Sequence, residues 1–206
     1  MGLIVLPGMG ASADMYGEPW RALSGARYID WPEYRGETSV AQVAERVIRE
    51  HEVTNKDIPV GSSLGGMVAL QMAAALGCST ACLIGSAVRR EEINPLLTAV
   101  APLAELTPMK WAQLMAGKSG GTLASDFAQA DPQFIKAMCR AVAEWPAVSC
   151  GRVRVVRLHG THDWVIRCPE DTHRIQNGGH LIACTHAEEC VSLVRRHVLQ
   201  LEQSSP

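Results

Sequence analysis

The sequence predicts a doubly wound α/β domain: a mostly parallel six-stranded sheet with helices on both faces and an inserted helical lid. Three observations predict it. Short apolar runs alternate with helical patterns over residues 2–85, and again from 152 to the closing segment. Between them, residues 89–149 carry apolar side chains at helical spacing and no strand signal. Finally, Gly61-Ser62-Ser63-Leu64-Gly65 joins an apolar run to an apolar helix through a glycine-framed serine, as a tight strand-to-helix turn requires. The expected division is a core of 1–88 and 150–206, with a helical cap, 89–149, inserted between sheet strands.

In chain order, Gly2-Leu3-Ile4-Val5-Leu6 is a continuous apolar run suited to a strand buried on both faces, and it stops at Pro7-Gly8-Met9-Gly10. Ser12 or Asp14 caps a short helix ending near Leu23, and 26–30 reads as a second strand before Trp31-Pro32. Thr38 or Ser39 starts an amphipathic helix to about Glu52, with Val40, Val43, Ala44, Val47 and Ile48 at helical spacing. Ile58-Pro59-Val60 is the strand before Ser63. The helix behind it, 64–76, is apolar nearly all round and ends at Gly77. Residues 80–85 form the next strand, and the inserted helices are expected at 93–106, 108–116 and 125–145. The sheet resumes at 152–158 and ends in a polar loop, His159-Gly160-Thr161-His162-Asp163-Trp164. A short strand, His173-Arg174-Ile175, leads to Asn177-Gly178-Gly179-His180, and 187–202 forms a closing helix with Val191, Val194, Val198 and Leu201 inward.

The 206 residues, 47% of them hydrophobic, suffice for one well-buried domain. Lys+Arg 19 against Asp+Glu 21, without long like-charge blocks, offers no electrostatic footing for nucleic acid or an anionic membrane. The expected partner is therefore a small molecule. Seven cysteines, widely spaced and without a C-x-x-C pair, read as reduced thiols rather than a disulfide framework or zinc site, and no metal or other cofactor is expected. The first residues lack the charged start of a secretory signal and no apolar run approaches about 18 residues, so the expected location is the cytoplasm.

In a parallel sheet, ligand sites gather outside the carboxyl ends of the strands, and Met9, Ser63, Asp163 and His180 each follow a strand directly. A serine hydroxyl is a poor nucleophile near neutral pH. It needs an imidazole to take its proton and a carboxylate to fix the imidazole tautomer, the roles of His180 and Asp163. The helix beginning at Leu64 aims its unpaired N–H groups at whatever Ser63 attacks, making the Leu64 N–H one oxyanion donor, with Met9 between Gly8 and Gly10 as the second. Five residues with three small ones are also an ordinary Gly/Ser loop, and Gly8–Met9–Gly10 an ordinary turn; the joint pattern carries the reading. Ser62 is expected to point away from the rim, and His159 and His162 to be solvated or bonded locally. Trp111, Met115, Met138 and Trp164 are candidate pocket residues, with packing of the lid as the competing role.

With these motifs the chain resembles the α/β-hydrolase family, in which nucleophile, acid and histidine follow in that order, and the resemblance covers essentially the whole chain. Leu6-Pro7-Gly8-Met9-Gly10 is similar to the family's oxyanion loop, with Pro7 where a histidine is usual. Gly61-Ser62-Ser63-Leu64-Gly65 is similar to its nucleophile elbow, and Gly178-Gly179-His180 to its histidine loop. The resemblance begins at the family's third strand, which implies a compact sheet in the order 2-1-3-4-5-6. The step from Asp163 to His180 is short for the usual intervening helix, and Glu91, just past the fourth strand, is the alternative carrier of the acid.

The resemblance implies a metal-free serine hydrolase acting on a small acyl ester through an acyl-enzyme. Thioesterase, perhydrolase and carbon–carbon hydrolase activities share the machinery, and some members of the family serve as receptors without turnover.

Overall fold

The computed structural model describes residues 2–95, 130–146, 148–149 and 151–200. Six strands, β1 (Leu3–Leu6), β2 (Ala26–Tyr28), β3 (Ile58–Ser62), β4 (Thr80–Ile84), β5 (Arg154–Gly160) and β6 (His173–Ile175), lie in the order β2-β1-β3-β4-β5-β6. Every neighbouring pair is parallel. β1, β3 and β4 are buried along their whole length, which is why each reads as an unbroken small or apolar run.

Alternating residues of these strands feed two cores. Ile4, Leu6, Ala81 and Leu83 face α2 (Val40–Glu50), α3 (Leu64–Leu76) and α4 (Pro132–Ala143). Leu3, Val5, Ile58, Val60, Cys82, Ile84, Val156 and Leu158 face α1 (Glu18–Arg21), α5 (Ile182–Thr185) and α6 (Ala187–Val194). At about 1.5–3 kcal/mol for each fully buried large aliphatic side chain, these two layers supply most of the drive to fold. The Trp20 indole N–H, donating to the Ala183 carbonyl at 2.7 Å, ties α1 to α5 on the second face.

The two long helices of the first core begin and end where local chemistry places them. Ser39 caps α2, its hydroxyl accepting from the Gln42 N–H at 3.2 Å, and Val40, Val43, Ala44 and Val47 turn inward. α3 ends at Gly77 in the left-handed conformation, φ 68°. In α4, Asp131 caps and Pro132 opens the helix, while Phe134, Met138 and Ala141 join the first core.

Tertiary contacts change several expected boundaries. The helix expected to end near Leu23 is split at Gly17 into a 3-10 turn, Ala13–Met15, and α1, because Asp30 Oδ1 takes the Ala13 N–H at 2.6 Å and the Tyr16 hydroxyl bonds the Leu6 carbonyl at 2.6 Å. β5 continues through His159 and Gly160, which pair with Arg174 and Ile175. Ile93 opens no helix but makes an antiparallel bridge with Ile166, after a 3-10 turn at Arg90–Glu92. The closing helix passes into a π-helical turn at Arg195–Leu199, and α5 has no counterpart in the sequence reading. Most of the helices expected at 93–106 and 108–116, the start of 125–145, and with them Trp111 and Met115, lie outside the described residues.

Candidate active site

Ser63 stands between β3 and α3 with φ 52° and ψ −119°, a conformation that costs a non-glycine residue about 1–3 kcal/mol. Its surroundings hold it there. Its N–H donates to the Ile84 carbonyl at 3.0 Å, and its own carbonyl accepts from the Ser86 hydroxyl at 2.7 Å and the Gly66 N–H at 3.0 Å. The flanking glycines answer to close approach: a Cβ on Gly61 would lie 2.2 Å from the Gly65 carbonyl carbon, and one on Gly65 would lie 2.3 Å from the Pro7 oxygen. Ser62 is buried and Ser63 is half-buried, as the turn dictates.

Three loops at the carboxyl ends of β3, β5 and β6 bring Ser63, Asp163 and His180 together. His180 Nε2 lies 2.9 Å from Ser63 Oγ, and its Nδ1 lies 2.9 Å from Asp163 Oδ2. A carboxylate oxygen can only accept, so Nδ1 carries the proton and the Nε2 lone pair faces the serine hydroxyl. The short step between acid and histidine is bridged by the three-residue β6, whose following glycines pack tightly: a Cβ on Gly160 would lie 2.2 Å from the Gly178 oxygen.

The Asp163 carboxylate is wholly buried and fully engaged. Oδ1 accepts from the Val165 and Ile166 N–H groups at 2.9 and 3.0 Å. Oδ2 accepts from His180 and also lies 3.1 Å from His159 Nε2, whose N–H it shares with the Ile166 carbonyl. Burial by itself opposes ionisation. The hydrogen bonds from His159 and His180, the charge of His180 and the Ile166 N–H outweigh it and hold the carboxyl well below the usual carboxylate range.

Of the two places expected for His159, solvated or bonded locally, the structure shows the second. His159 lies within β5, 1% exposed, and bonds the Asp163 carboxylate and the Ile166 carbonyl at 2.9 Å. A histidine before a glycine at a strand end looks like a loop residue from composition alone; only its partners across the turn reveal the burial. Glu91, the alternative acid, is exposed, whereas its neighbour Glu92 binds buried Arg157 at 2.6 Å on the β5 side.

Leu64 is the first residue of α3, so its N–H has no intrahelical acceptor. On the opposite side the β1 loop passes close to the serine, a Cβ on Gly8 falling 3.7 Å from Ser63 Cβ. Three side chains anchor that loop. The Trp31 indole N–H donates to the Gly8 carbonyl at 2.9 Å, the Gly8 N–H donates to Met15 Sδ at 3.3 Å, and Tyr16 holds the Leu6 carbonyl. Met9 packs on Ile135 and Cys139 of α4. Of the described pocket candidates, Met138 is fully buried in the first core rather than lining an open pocket, because it faces the sheet from α4. Trp164 is 47% exposed beside Asp163.

No thiol rivals Ser63 among the described residues. Burial pushes Cys82 up to about 12, and Cys139 and Cys184 up to about 11, where little thiolate exists near neutral pH. Among the described residues no group of three or more His, Cys, Asp or Glu is arranged to hold a metal ion, and no helix is long and apolar enough to cross a membrane.

No curated protein matches the sequence. Among solved structures, a hydrolase from Oleispira antarctica superposes with a TM-score of 0.76 at 16% identity, over 97% of this chain and 92% of that one. A thermophilic esterase from Thermogutta terrifontis gives 0.72 at 16% identity, over 97% and 90%. An enol-lactonase from Burkholderia xenovorans gives 0.72 at 17% identity, over 97% and 92%. At such identities the superpositions speak for the fold. The sequence model described as the Alpha/beta hydrolase family matches residues 3–199, and with a match over nearly its whole length the chain belongs to the alpha/beta hydrolase family.

Proposed function

We propose that this protein is a serine hydrolase that cleaves a carboxylic ester through an acyl-enzyme. Ser63 attacks the acyl carbonyl while His180 takes its proton at Nε2; His180 then returns that proton to the leaving alkoxide, and repeats the cycle with water to release the acid. Asp163 keeps the proton of the resting imidazole on Nδ1 and stabilises the imidazolium. The N–H groups of Leu64 and Met9 hold the oxyanion. The single observation that carries this reading is the pair of 2.9 Å contacts by which His180 links Ser63 Oγ to Asp163 Oδ2. The esterase and lactonase neighbours favour an ester or its cyclic form, a lactone, over other acyl compounds.

The segment 89–149 caps this site in the same reading. Its support is the contact of α4 with the β1 loop, where Cys139 Sγ lies 3.8 Å from Met9 Sδ.

A fluorophosphonate probe tests the assignment directly. It is expected to label the protein at Ser63 and not to label Ser63→Ala, and turnover across a series of esters, lactones and thioesters of graded acyl length then identifies the substrate class. Absence of labelling in the folded parent protein would overturn the reading in favour of a non-catalytic binding protein.

A further inference from the structure

We propose that His159 is a positioning residue that shares the Asp163 carboxylate with His180 and sets the pH at which the Ser63–His180 pair becomes active. The inference rests on the serine-hydrolase reading above. Its ground is an arrangement that the triad alone does not need: one carboxylate oxygen, Oδ2, accepts from two imidazoles, at 2.9 Å from His180 Nδ1 and 3.1 Å from His159 Nε2.

His159 Nε2 faces two acceptors, Asp163 Oδ2 and the Ile166 carbonyl at 2.9 Å, so its proton sits on Nε2. Its Nδ1 is buried and has no hydrogen-bond partner among the described residues. His159 is thus a donor at Nε2, held in place by the strand that carries it. The charged and titratable groups near it are Asp163 and His180, Arg157 on the same strand with its partners Glu92 and Asp171, and Cys168, which feels the Asp163 charge. The Arg157 charge is met by those two carboxylates, leaving the His159 N–H as the donor that bears on Oδ2 beside His180.

A donor on Oδ2 does two things. It fixes the carboxylate rotation through the same contact that ties the 161–166 turn to β5, and it draws off part of the negative charge that His180 would otherwise feel. Removing it leaves a stronger anion facing His180, which favours the imidazolium. Since His180 must be unprotonated to accept from Ser63, the acidic limb of the pH–rate profile then moves to higher pH.

The test compares kcat/KM against pH for the parent, His159→Phe and His159→Gln, the glutamine amide presenting an N–H near the position of Nε2. His159→Phe is expected to lose on the order of 10- to 100-fold in kcat/KM, the range for one charge-assisted hydrogen bond. Its acidic limb is expected to move to higher pH, and His159→Gln to restore most of both. A loss of rate with the limb unmoved, or a glutamine variant no better than phenylalanine, would overturn the proposal and leave His159 a packing residue. NMR titration of the His180 ring in the same proteins needs no turnover, so it reports on His159 even if no ester is cleaved. An unchanged titration there would also refute the inference, whereas a shifted titration without fluorophosphonate labelling would instead place the failure in the hydrolase reading. Should His159→Phe not fold, the same comparisons between His159→Gln and the parent decide, a glutamine variant with a displaced rather than parent-like limb counting against the proposal.

Discussion

Replacing Asp163 by Asn exchanges one of two acceptor oxygens for an amide that donates. All four groups around the parent carboxylate are donors: the Val165 and Ile166 N–H groups on Oδ1, and the His159 and His180 rings on Oδ2. Whichever way the Asn is turned, its NH2 faces two donors. The His159 N–H keeps the Ile166 carbonyl as an acceptor and the His180 ring can change tautomer, so the variant is expected to lose about 1–3 kcal/mol, the cost of one spoiled buried pairing. The backbone N–H groups cannot reverse, so the amide oxygen stays with them and the NH2 turns to the rings. His180 then accepts at Nδ1 and carries its proton on Nε2, where it can no longer receive one from Ser63. Turnover is expected to fall roughly 10³- to 10⁴-fold, while Glu91→Gln, altering an exposed side chain, changes it little. The parent also carries an acid-labile component that the Asn variant lacks. The folded carboxyl is held below its ordinary range, so its contribution to stability is complete above an ordinary carboxylate pKa of about 4 and fades as pH falls through the lower folded value. Ester turnover and thermal unfolding measured from pH 8 to pH 3 check both halves. An Asn variant within about tenfold of the parent, or a Glu91→Gln variant more impaired than Asp163→Asn, would refute the reasoning.

Ser63→Ala is expected to abolish hydrolysis with nearly the parent's melting temperature, and Ser62→Ala, whose buried side chain faces away from the rim, to keep most activity; initial rates and thermal scans of the two variants check this. Gly65→Ala is expected to leave little folded protein or little activity, because the new Cβ would meet the Pro7 and Leu6 oxygens at 2.3 and 2.6 Å, both of them backbone atoms; soluble yield and fluorophosphonate labelling measure the outcome. Incubation with EDTA is expected to leave turnover intact, since in the proposed mechanism His180 activates the nucleophile and backbone N–H groups hold the oxyanion; loss reversed by added zinc would contradict that chemistry.

The parts of the fold that local chemistry dictates were legible in the sequence. β1 and β4 announce burial on both faces, α2 carries its cap and stripe, and α3 its closing Gly77, so the layers followed, while the sheet order came from the family resemblance. The positions of Ser63, Asp163 and His180 were legible because each stands at the end of a strand, where the topology of a parallel sheet collects loops on one rim. What escaped depends on contacts distant in sequence. Gly160 reads as a loop glycine until β6 and Gly178 lie against it, and for His159 the choice between solvation and local bonding stays open until Asp163 and Ile166 turn back over it. Pro7 stands where the resemblance puts a histidine, and nothing in its own stretch indicates that Trp31, Met15 and Tyr16 arrive to hold the loop.

That anchoring decides when the entropy of the loop is lost. Fixing one backbone residue costs about 1–2 kcal/mol, so ordering the five residues from Pro7 to Ala11 on each encounter with substrate would cost roughly 5–10 kcal/mol, or about four to seven powers of ten in rate. With Gly8 held from both its N–H and its carbonyl by side chains that are themselves packed, the loss is taken once, as the chain folds. In the proposed reaction an acyl group then meets dipoles that need no reorganisation, and the binding energy of the substrate is left to act on the transition state.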